Sequence, residues 1–274
     1  MDSALALKRA ALTSLLEELD SVVVAYSGGV DSSFLAAAAH DALGPRSFAV
    51  TAVSPSLARR DLEEARALAR ARGWNHMEVA TGEVDRPEYR RNAPDRCYWC
   101  KTELMEVLGP VARSIGGTVV VGTNTDDLGD HRPGLRAARE HDARSPLAEA
   151  GLRKSEVRAL SRAIGLPTAD KPASPCLASR FAYGVHVTTE GLARVERAEA
   201  VLRALGFDEL RVRDHGELAR IEVPRASLER AAALADTISS ELKSLGYVYV
   251  SLDLTGFRSG AMNEVLPPPS FRPR

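Results

Sequence analysis

The residues best suited to chemistry form a short polar motif, SGGVDSS, at positions 27–33. The motif follows a β-favouring run at 22–26 and precedes an alanine-rich run at 34–39, which predict a buried strand and a helix. The paired glycines allow the backbone to turn tightly with its N–H groups pointing inward. A strand, a glycine turn and a helix N-terminus in this order predict an anion-binding loop. The candidate binding residues are Ser27, Gly28, Gly29, Asp31, Ser32 and Ser33.

This loop matches neither of two well-known nucleotide-binding motifs. A P-loop requires a lysine followed by Ser or Thr at the helix start, and the dinucleotide fingerprint requires three spaced glycines. SGGVDSS resembles instead the PP-loop of ATP pyrophosphatases, which hold the β- and γ-phosphates of ATP and break the nucleotide at its α-phosphate. The resemblance implies ATP as a cofactor and Asp31 as a catalytic residue. The alternative is a serine-capped turn that binds no ligand.

A second polar motif, GTNTDD at 122–127, follows the predicted strand at 118–122. In a parallel sheet, ligands bind beyond the carboxyl ends of the strands, where this motif would lie. Asp126 or Asp127 is a candidate ligand for Mg²⁺ on the ATP phosphates, and Asn124 is a candidate hydrogen-bond donor to nucleotide or substrate. The alternative is a solvated acidic turn.

The chain has three cysteines, Cys97, Cys100 and Cys176. Their odd number, in a chain with no recognisable secretion signal, argues against a disulfide framework and favours reduced thiols used for chemistry. The C-x-x-C pair is compatible with a redox dithiol, with a zinc site completed by His131 or His141, or with an iron–sulfur cluster. Three thiolates leave one iron of a 4Fe-4S cluster open to a further ligand such as hydrosulfide. Three unrelated cysteines are the remaining alternative.

Alternating strands and helices must position these groups. The pattern predicts strands at 22–26, 47–53, 74–79 and 118–122 and helices at 3–19, 61–73, 102–114 and 154–164. This alternation predicts an α/β fold with a parallel sheet. Ser54 and Pro55 follow the second strand and would border the adenine or ribose. The segment 81–101, which contains the C-x-x-C pair, is predicted to be a loop.

The pattern changes after residue 170. We expect an ATP-binding domain at 1–170, a linker at 171–188 that carries Cys176, and a small α+β domain at 189–274. In the last domain the sequence predicts helices at 190–205 and 228–245 and strands at 209–214, 218–223 and 247–252, with a hairpin that turns at His215 and Gly216.

Two arginines alternate along the predicted strand at 209–214. Because alternate residues of a strand point to the same face, Arg211 and Arg213 can together clamp a phosphate group. A solvated strand face is the alternative interpretation.

The overall charge gives no sign of a polyanionic partner. The 36 basic and 37 acidic residues leave a formal net charge of −1, so no global field attracts nucleic acid or an anionic membrane. No stretch is long and apolar enough to predict a membrane span. We therefore expect a cytoplasmic protein with no nucleic-acid or membrane partner.

Taken together, these motifs resemble the LarE family, the ATP-dependent sulfur transferases that help to build the nickel-pincer cofactor of lactate racemase. The resemblance spans nearly the whole chain, and its last three motifs distinguish this family from other PP-loop enzymes. The motifs are SGGVDSS (27–33), PDRCYWCK (94–101), GTNTDD (122–127), KPASPCLASR (171–180), RVRDHGELARIEV (211–223) and GYVYVSLDLTGFRSGAMNE (246–264).

The resemblance implies a fold, a reaction and a set of partners. It implies a PP-loop ATP pyrophosphatase domain of the adenine nucleotide alpha hydrolase-like type and a homo-oligomer, a hexamer by analogy. The cofactors would be ATP, Mg²⁺ and a 4Fe-4S cluster on the three cysteines. The partners would be a small-molecule mononucleotide and sulfide or another sulfur donor. Arg180 and Glu199 are carried over from the family as further candidates for the substrate pocket.

The family contains two kinds of member, and they differ in the source of sulfur. Some have only the cysteine of the SPCLASR segment, here Cys176, and surrender its sulfur to leave dehydroalanine. Others add the C-x-x-C pair and are thought to bind a cluster, and this chain has both sets. The remaining hypotheses are a PP-loop tRNA thiolase, for which the near-neutral chain has no basic surface, and a nucleotide-binding regulator, which would need no cysteines.

Overall fold

A computed structural model of the chain describes residues 3–129 and 133–258 together with residues 261 and 264. Contacts divide the chain into two compact units. The first consists of the residues up to Glu83 and of Cys97–Ser174, and the second of Val84–Arg96 and of the residues from Pro175 onward. The three-part domain assignment with boundaries at 170 and 189 stays a prediction.

The helices and strands alternate along the chain much as their hydrophobic periodicity predicts. The α-helices are α1 (Ser3–Glu18), α2 (Val30–Leu43), α3 (Arg59–Ala71), α4 (Pro87–Arg90), α5 (Arg96–Ser114), α6 (Pro133–Glu140), α7 (Pro146–Glu149), α8 (Lys154–Ala163), α9 (Thr189–Ala204), α10 (Leu228–Ala233) and α11 (Ala235–Ser244). The strands are β1 (Val22–Ala25), β2 (Ser47–Val53), β3 (Asn75–Ala80), β4 (Thr118–Val120), β5 (Arg211–Asp214), β6 (Leu218–Glu222) and β7 (Tyr249–Leu252).

The first unit is built on a parallel sheet with the strand order β3-β2-β1-β4. This confirms the predicted α/β fold. The three valines of β1 are fully buried, because Val22 and Val24 pack with α1 and α2 on one face while Val23 packs with α5 on the other. Burial on both faces explains why β1 is a continuous apolar run rather than an alternating one.

The second unit contains a three-stranded sheet in the order β5-β6-β7. β5 and β6 form the predicted antiparallel hairpin, in which Gly216 has a φ of +82°, while β6 and β7 are parallel. The apolar side chains of α9 and α11 pack with this sheet. The predicted helix at 228–245 is instead two helices, because the backbone of Leu234 leaves the helical region at φ −100° and ψ +17°.

The C-x-x-C pair lies on a helix and not in the predicted loop. α5 begins at Arg96, just after the Pro94–Asp95 pair, so Cys97 and Cys100 occupy its first turns. Cysteine and aromatic residues are poor helix formers, and for that reason the sequence pattern did not indicate this start. Tertiary contacts compensate, since the Tyr98 hydroxyl donates to Glu140 Oε2 of α6 at 2.6 Å.

A comparison of two glycines that both have a positive φ tests how tightly the turn after β1 is packed. Gly28 and Gly73 have φ values of +70° and +66°, but a Cβ on Gly28 would lie 3.0 Å from Ala65 Cβ, whereas a Cβ on Gly73 would meet nothing within 4 Å. Gly73→Ala should cost roughly 1 kcal/mol of unfolding free energy for its left-handed backbone. Gly28→Ala should cost about 1–3 kcal/mol more, because α3 must move.

Urea denaturation of the two variants beside the wild type measures this difference. Equal losses would mean that the turn after β1 has room for a side chain and that its glycine serves backbone conformation alone.

Candidate active site

The SGGVDSS motif forms the loop between β1 and α2. The Ser27 N–H donates to Ser32 Oγ at 3.2 Å, and the Ser32 hydroxyl donates to the carbonyl oxygen of Gly29 at 3.2 Å, so the loop is closed by its own side chains. Gly29 stands at the N-cap of α2, where it offers no side chain to the N–H groups of the first turn. Those N–H groups at the positive end of the helix dipole are the donors that an anion needs.

Residues from three segments meet at Asp31. Its carboxylate forms an ion pair with the Lys154 ammonium of α8 and accepts a hydrogen bond from Asn124 Nδ2 at 3.4 Å. The structure therefore brings two of the predicted residues, Asp31 and Asn124, together at the carboxyl ends of β1 and β4.

The acidic turn after β4 is largely occupied with its own backbone. Asp127 Oδ2 accepts the N–H of Asn124 at 3.1 Å, and Asp126 Oδ2 accepts the N–H of Lys154 at 2.9 Å. Each carboxylate thus uses one oxygen to hold the turn. The predicted role of this turn in Mg²⁺ binding stays a prediction.

Lys154 was missed by the sequence analysis, although its position carries a signal. It is the first residue of α8, where the helix dipole disfavours a cation. A lysine at such a position needs a compensating anion, and Asp31 provides one in this structure. A lysine at a helix N-terminus is therefore a sequence signal for a nearby anionic group, which hydrophobic periodicity does not indicate.

Lys171, also missed, links the PP-loop to the segment that leads toward Cys176. Its ammonium lies 3.2 Å from Asp61 and 2.9 Å from Glu64 of α3, and it donates to the carbonyl oxygen of Gly28 at 3.3 Å. Burial raises the pKa of Glu64, but the hydrogen bonds and charges of Lys171 and Arg60 together outweigh it, so the pKa is lowered. The Glu64 carboxylate is thereby favoured as the partner of Lys171.

The turn after β2 is held by a buried carboxylate. Glu83 accepts hydrogen bonds from the hydroxyls of Ser54 and Ser56, the latter at 2.8 Å. The predicted role of Ser54 and Pro55 beside the nucleoside is compatible with this fixed turn and stays a prediction.

The cysteines are distributed over both units. Cys97 is exposed and Cys100 half-buried in the first unit, three residues apart on α5 and so on neighbouring positions of one helix face. Cys176 is half-buried in the second unit and directly precedes a buried 3-10 turn, Leu177–Arg180. In the part of the chain that the structure describes, no three His, Cys, Asp or Glu side chains are grouped as a metal site. His131 lies outside the described residues.

The second unit concentrates guanidinium groups around two buried carboxylates. The side chains of Glu199 and Glu222 are 1% and 0% exposed, so they depend on ion pairs for compensation. The pairs are Arg180–Glu199 at 2.8 Å, Arg203–Glu199 at 2.8 Å, Arg213–Glu222 at 2.6 Å and Arg220–Glu222 at 3.0 Å. Arg211 lies close enough to Arg180 and Glu199 for their charges to affect it.

The surroundings of Arg211 disfavour its charge. Burial, followed by the charge of Arg180, lowers the pKa of Arg211 to about 10. Arg211 and Arg213 share one face of β5 and are largely buried, so the alternative of a solvated strand face does not apply. Arg213 is also engaged internally, since its Nη1 donates to the carbonyl oxygen of Ser179 at 3.2 Å. A concentration of guanidinium groups of this kind is a candidate anion site.

Comparison with known proteins agrees with this geometry. The NAD synthase family model matches residues 10–91, which include the PP-loop. The chain is 40% identical over 264 residues to the pyridinium-3,5-bisthiocarboxylic acid mononucleotide synthase of Lactiplantibacillus plantarum, with 96% of each chain covered. That synthase is LarE. The present chain belongs to the LarE family.

Two uncharacterised proteins show the same relationship. The chain is 47% identical over 259 residues to the protein slr1717 of Synechocystis, covering 93% of this chain and 96% of that protein. It is 29% identical over 239 residues to the protein MJ0830 of Methanocaldococcus jannaschii, covering 87% and 91%. The resemblance to the LarE family noted in the sequence is thus confirmed, and the chain is an enzyme with a PP-loop domain.

None of the helices among the described residues has the length and hydropathy needed to cross a membrane.

Removal of the Arg211 charge tests the anion site. Because the pKa of Arg211 is lower in the folded protein than in the unfolded chain, its charge is disfavoured in the folded protein. Arg211→Met should therefore raise the melting temperature of the ligand-free protein. It should also reduce the further rise produced by millimolar inorganic phosphate, because one cation of the candidate anion site is removed.

Thermal unfolding with and without phosphate measures both effects, and phosphate bound at the PP-loop contributes equally to wild type and variant. Arg230→Met is the matched control, since both arginines stack on an aromatic ring in the second unit. Arg211 lies 5.1 Å from the Phe257 centroid and Arg230 lies 4.8 Å from the Phe207 centroid. This control should lower the melting temperature and keep the full phosphate effect. A lowered ligand-free melting temperature in Arg211→Met would contradict the charge argument.

Proposed function

We propose that the enzyme is an ATP-dependent sulfur transferase that converts a carboxylate of a pyridinium mononucleotide into a thiocarboxylate. The observation that carries the proposal is the meeting of Asp31, Asn124 and Lys154 at the PP-loop, in a chain 40% identical to a pyridinium-3,5-bisthiocarboxylic acid mononucleotide synthase. The phosphate loop supplies ATP chemistry, and the relative's name supplies the substrate class.

Activation by ATP follows from the chemistry of the acceptor. A carboxylate cannot exchange oxygen for sulfur directly, because oxide is too poor a leaving group. Attack of a carboxylate oxygen on the α-phosphorus of ATP breaks the bond to the β-phosphate bridging oxygen, forms an acyl-adenylate and releases pyrophosphate. The charge developing on pyrophosphate would be stabilised by the N–H groups of the PP-loop and by Lys154, once Asp31 turns to the metal.

Mg²⁺ fits the donors at this site. Asp31 would hold it, with Asp127 as a second carboxylate, and the ion would neutralise phosphate charge. The mononucleotide phosphate fits the arginine cluster of the second unit, where Arg211 and Arg213 would supply charge-assisted hydrogen bonds. Arg180 and Glu199, which the family resemblance places in the substrate pocket, bind each other, and Arg180 also binds backbone carbonyl oxygens around Cys176.

The products of ATP turnover test the first step. With ATP, Mg²⁺ and a pyridinium carboxylate mononucleotide, the enzyme should release pyrophosphate and AMP. Asp31→Asn and Lys154→Met should each lower the rate by about a hundredfold, as expected for the loss of one charge-stabilising contact in the transition state. Both changes are at the loop, so the fold should be retained.

Lys8→Met is the matched control for Lys154→Met. Lys8 of α1 also pairs with a carboxylate on α8, Glu156 at 2.7 Å, but touches no part of the PP-loop. Its loss should leave pyrophosphate release unchanged. Formation of ADP and inorganic phosphate by the wild type would rule out the proposed ATP chemistry.

We propose further that Cys97, Cys100 and Cys176 hold a 4Fe-4S cluster. Thiolates are the ligands that such clusters take, and two of these thiols stand on one helix face. When bound, the cluster would supply an iron position for a sulfur donor such as sulfide. In support, Arg96, which precedes Cys97, donates to the carbonyl oxygen of Ala178 at 2.8 Å, two residues after Cys176.

The alternative source of sulfur is Cys176 itself. Its thiolate would attack the acyl-adenylate to form a thioester and release AMP. Removal of the Cys176 Cα proton would then break the Cβ–S bond, leaving a thiocarboxylate on the product and dehydroalanine at position 176. Each chain would transfer one sulfur and lose the mass of hydrogen sulfide.

Intact-protein mass spectrometry after turnover distinguishes the two sources. Under the cluster proposal, anaerobic iron-loaded wild type turns over repeatedly with sulfide and keeps its mass, while Cys97→Ala loses both its bound iron and its multiple turnovers. Stoichiometric dehydroalanine at position 176 in the iron-loaded wild type would overturn the proposal. Retention of tRNA in a gel-shift assay would instead favour the tRNA thiolase.

A further inference from the structure

Arg180 directs its donor atoms toward the backbone around Cys176. Its Nε and Nη2 donate to the two carboxylate oxygens of Glu199 at 2.8 and 3.2 Å. Its Nη1 donates to the carbonyl oxygens of Pro175 and Cys176 at 2.5 and 3.2 Å and to Ser179 Oγ at 3.0 Å. The side chain is only 4% exposed. Each guanidinium nitrogen therefore already has a partner within the protein.

We propose that Arg180 is a positioning residue that fixes the backbone of Cys176 and thereby aims its thiol. This inference rests on the proposed function, in which Cys176 takes part in sulfur transfer. It replaces the expectation, carried over from the family, that Arg180 binds substrate directly. Glu199 acts through Arg180, because it holds the guanidinium plane in place.

The two carbonyl groups bound by Arg180 belong to the peptide units on either side of the Cys176 Cα. Fixing both peptide planes fixes the φ and ψ of Cys176, which are −55° and +157°. The carbonyl oxygen of Cys176 also accepts the N–H of Ser179 at 2.9 Å. The remaining freedom of the thiol is rotation about χ1, with its three staggered positions.

The turn that follows Cys176 is anchored as well. Leu177 and Ala178 are 2% and 0% exposed, and the carbonyl oxygen of Ala178 accepts the Arg96 hydrogen bond. The anchored turn and the arginine fork thus hold the same residue from two directions. Only an arginine can do this, because its planar fork presents several donors at fixed angles.

Arg180→Lys is the variant that separates positioning from substrate binding. A lysine keeps the ion pair with Glu199, but its single nitrogen cannot also reach both carbonyl oxygens. Three properties of the full chain are compared after iron chelation: the iodoacetamide alkylation rate of Cys176 by peptide mass spectrometry, the affinity for nicotinic acid mononucleotide by calorimetry, and the melting temperature. Thiocarboxylate formation is measured separately on the iron-loaded enzyme.

If Arg180 positions Cys176, the variant should change the reactivity of Cys176 and leave mononucleotide binding nearly unaffected. Alkylation of Cys176 should become at least about threefold faster because the thiol leaves its fixed position, and thiocarboxylate formation should fall by about a hundredfold because a small misplacement of a reacting group is costly. The dissociation constant for the mononucleotide should change less than about twofold, as expected when the changed residue does not interact with the binding site. An unchanged alkylation rate would overturn the proposal. A tenfold weaker affinity for the mononucleotide would mean that Arg180 binds the substrate directly.

Arg194→Lys controls for general loosening of the second unit. Arg194 makes the same kind of contact elsewhere, donating to the buried Asp214 Oδ2 at 2.7 Å and to the carbonyl oxygen of Gly216 at 2.9 Å. This variant should lower the melting temperature to a similar extent and leave Cys176 alkylation as in the wild type. Because alkylation needs no turnover, a failure of the proposed function would appear as absent pyrophosphate release, independently of this result.

Discussion

The burial of β1 on both faces determines where the chemistry of the first unit can lie. Val22 and Val24 face one helical layer and Val23 faces the other, so the side chains of this strand leave no room for a ligand on either face. The ends of β1 remain, and at the carboxyl end the chain enters the loop that leads into α2. The PP-loop therefore lies where parallel sheets bind their ligands.

The second unit is organised around buried charge. Four arginines pair with the buried carboxylates of Glu199 and Glu222. Burial and the neighbouring charge of Arg180 lower the pKa of Arg211. Ion pairs compensate for the desolvation of both carboxylates, so the positions of these arginines are fixed by the fold before any ligand binds.

The elements that follow hydrophobic periodicity could be predicted from the sequence, and so could the loop that follows β1. The start of α5 could not, because contacts of Tyr98 with α6 outweigh the weak helix propensity of the C-x-x-C pair. The break at Leu234 could not either, since neither glycine nor proline marks it. In the site, the sequence motifs predicted Asp31 and Asn124. They did not predict Lys154, because only the folded structure brings it to Asp31 as an ion pair.

The PP-loop and the turn at Cys176 use different cations for carboxylates that differ in burial. Lys154 pairs with the partly exposed Asp31 at the PP-loop. Because lysine is a flexible single charge, its ammonium group can leave this carboxylate and contact a phosphate when a ligand binds. Arg180 and Arg213 pair with carboxylates that are at most 1% exposed and bind backbone carbonyls at the same time, which demands fixed geometry. A cation that must change partners at the ATP site is thus a lysine, whereas the cation that holds the backbone at Cys176 is an arginine. Arg180 cannot move without breaking several hydrogen bonds at once.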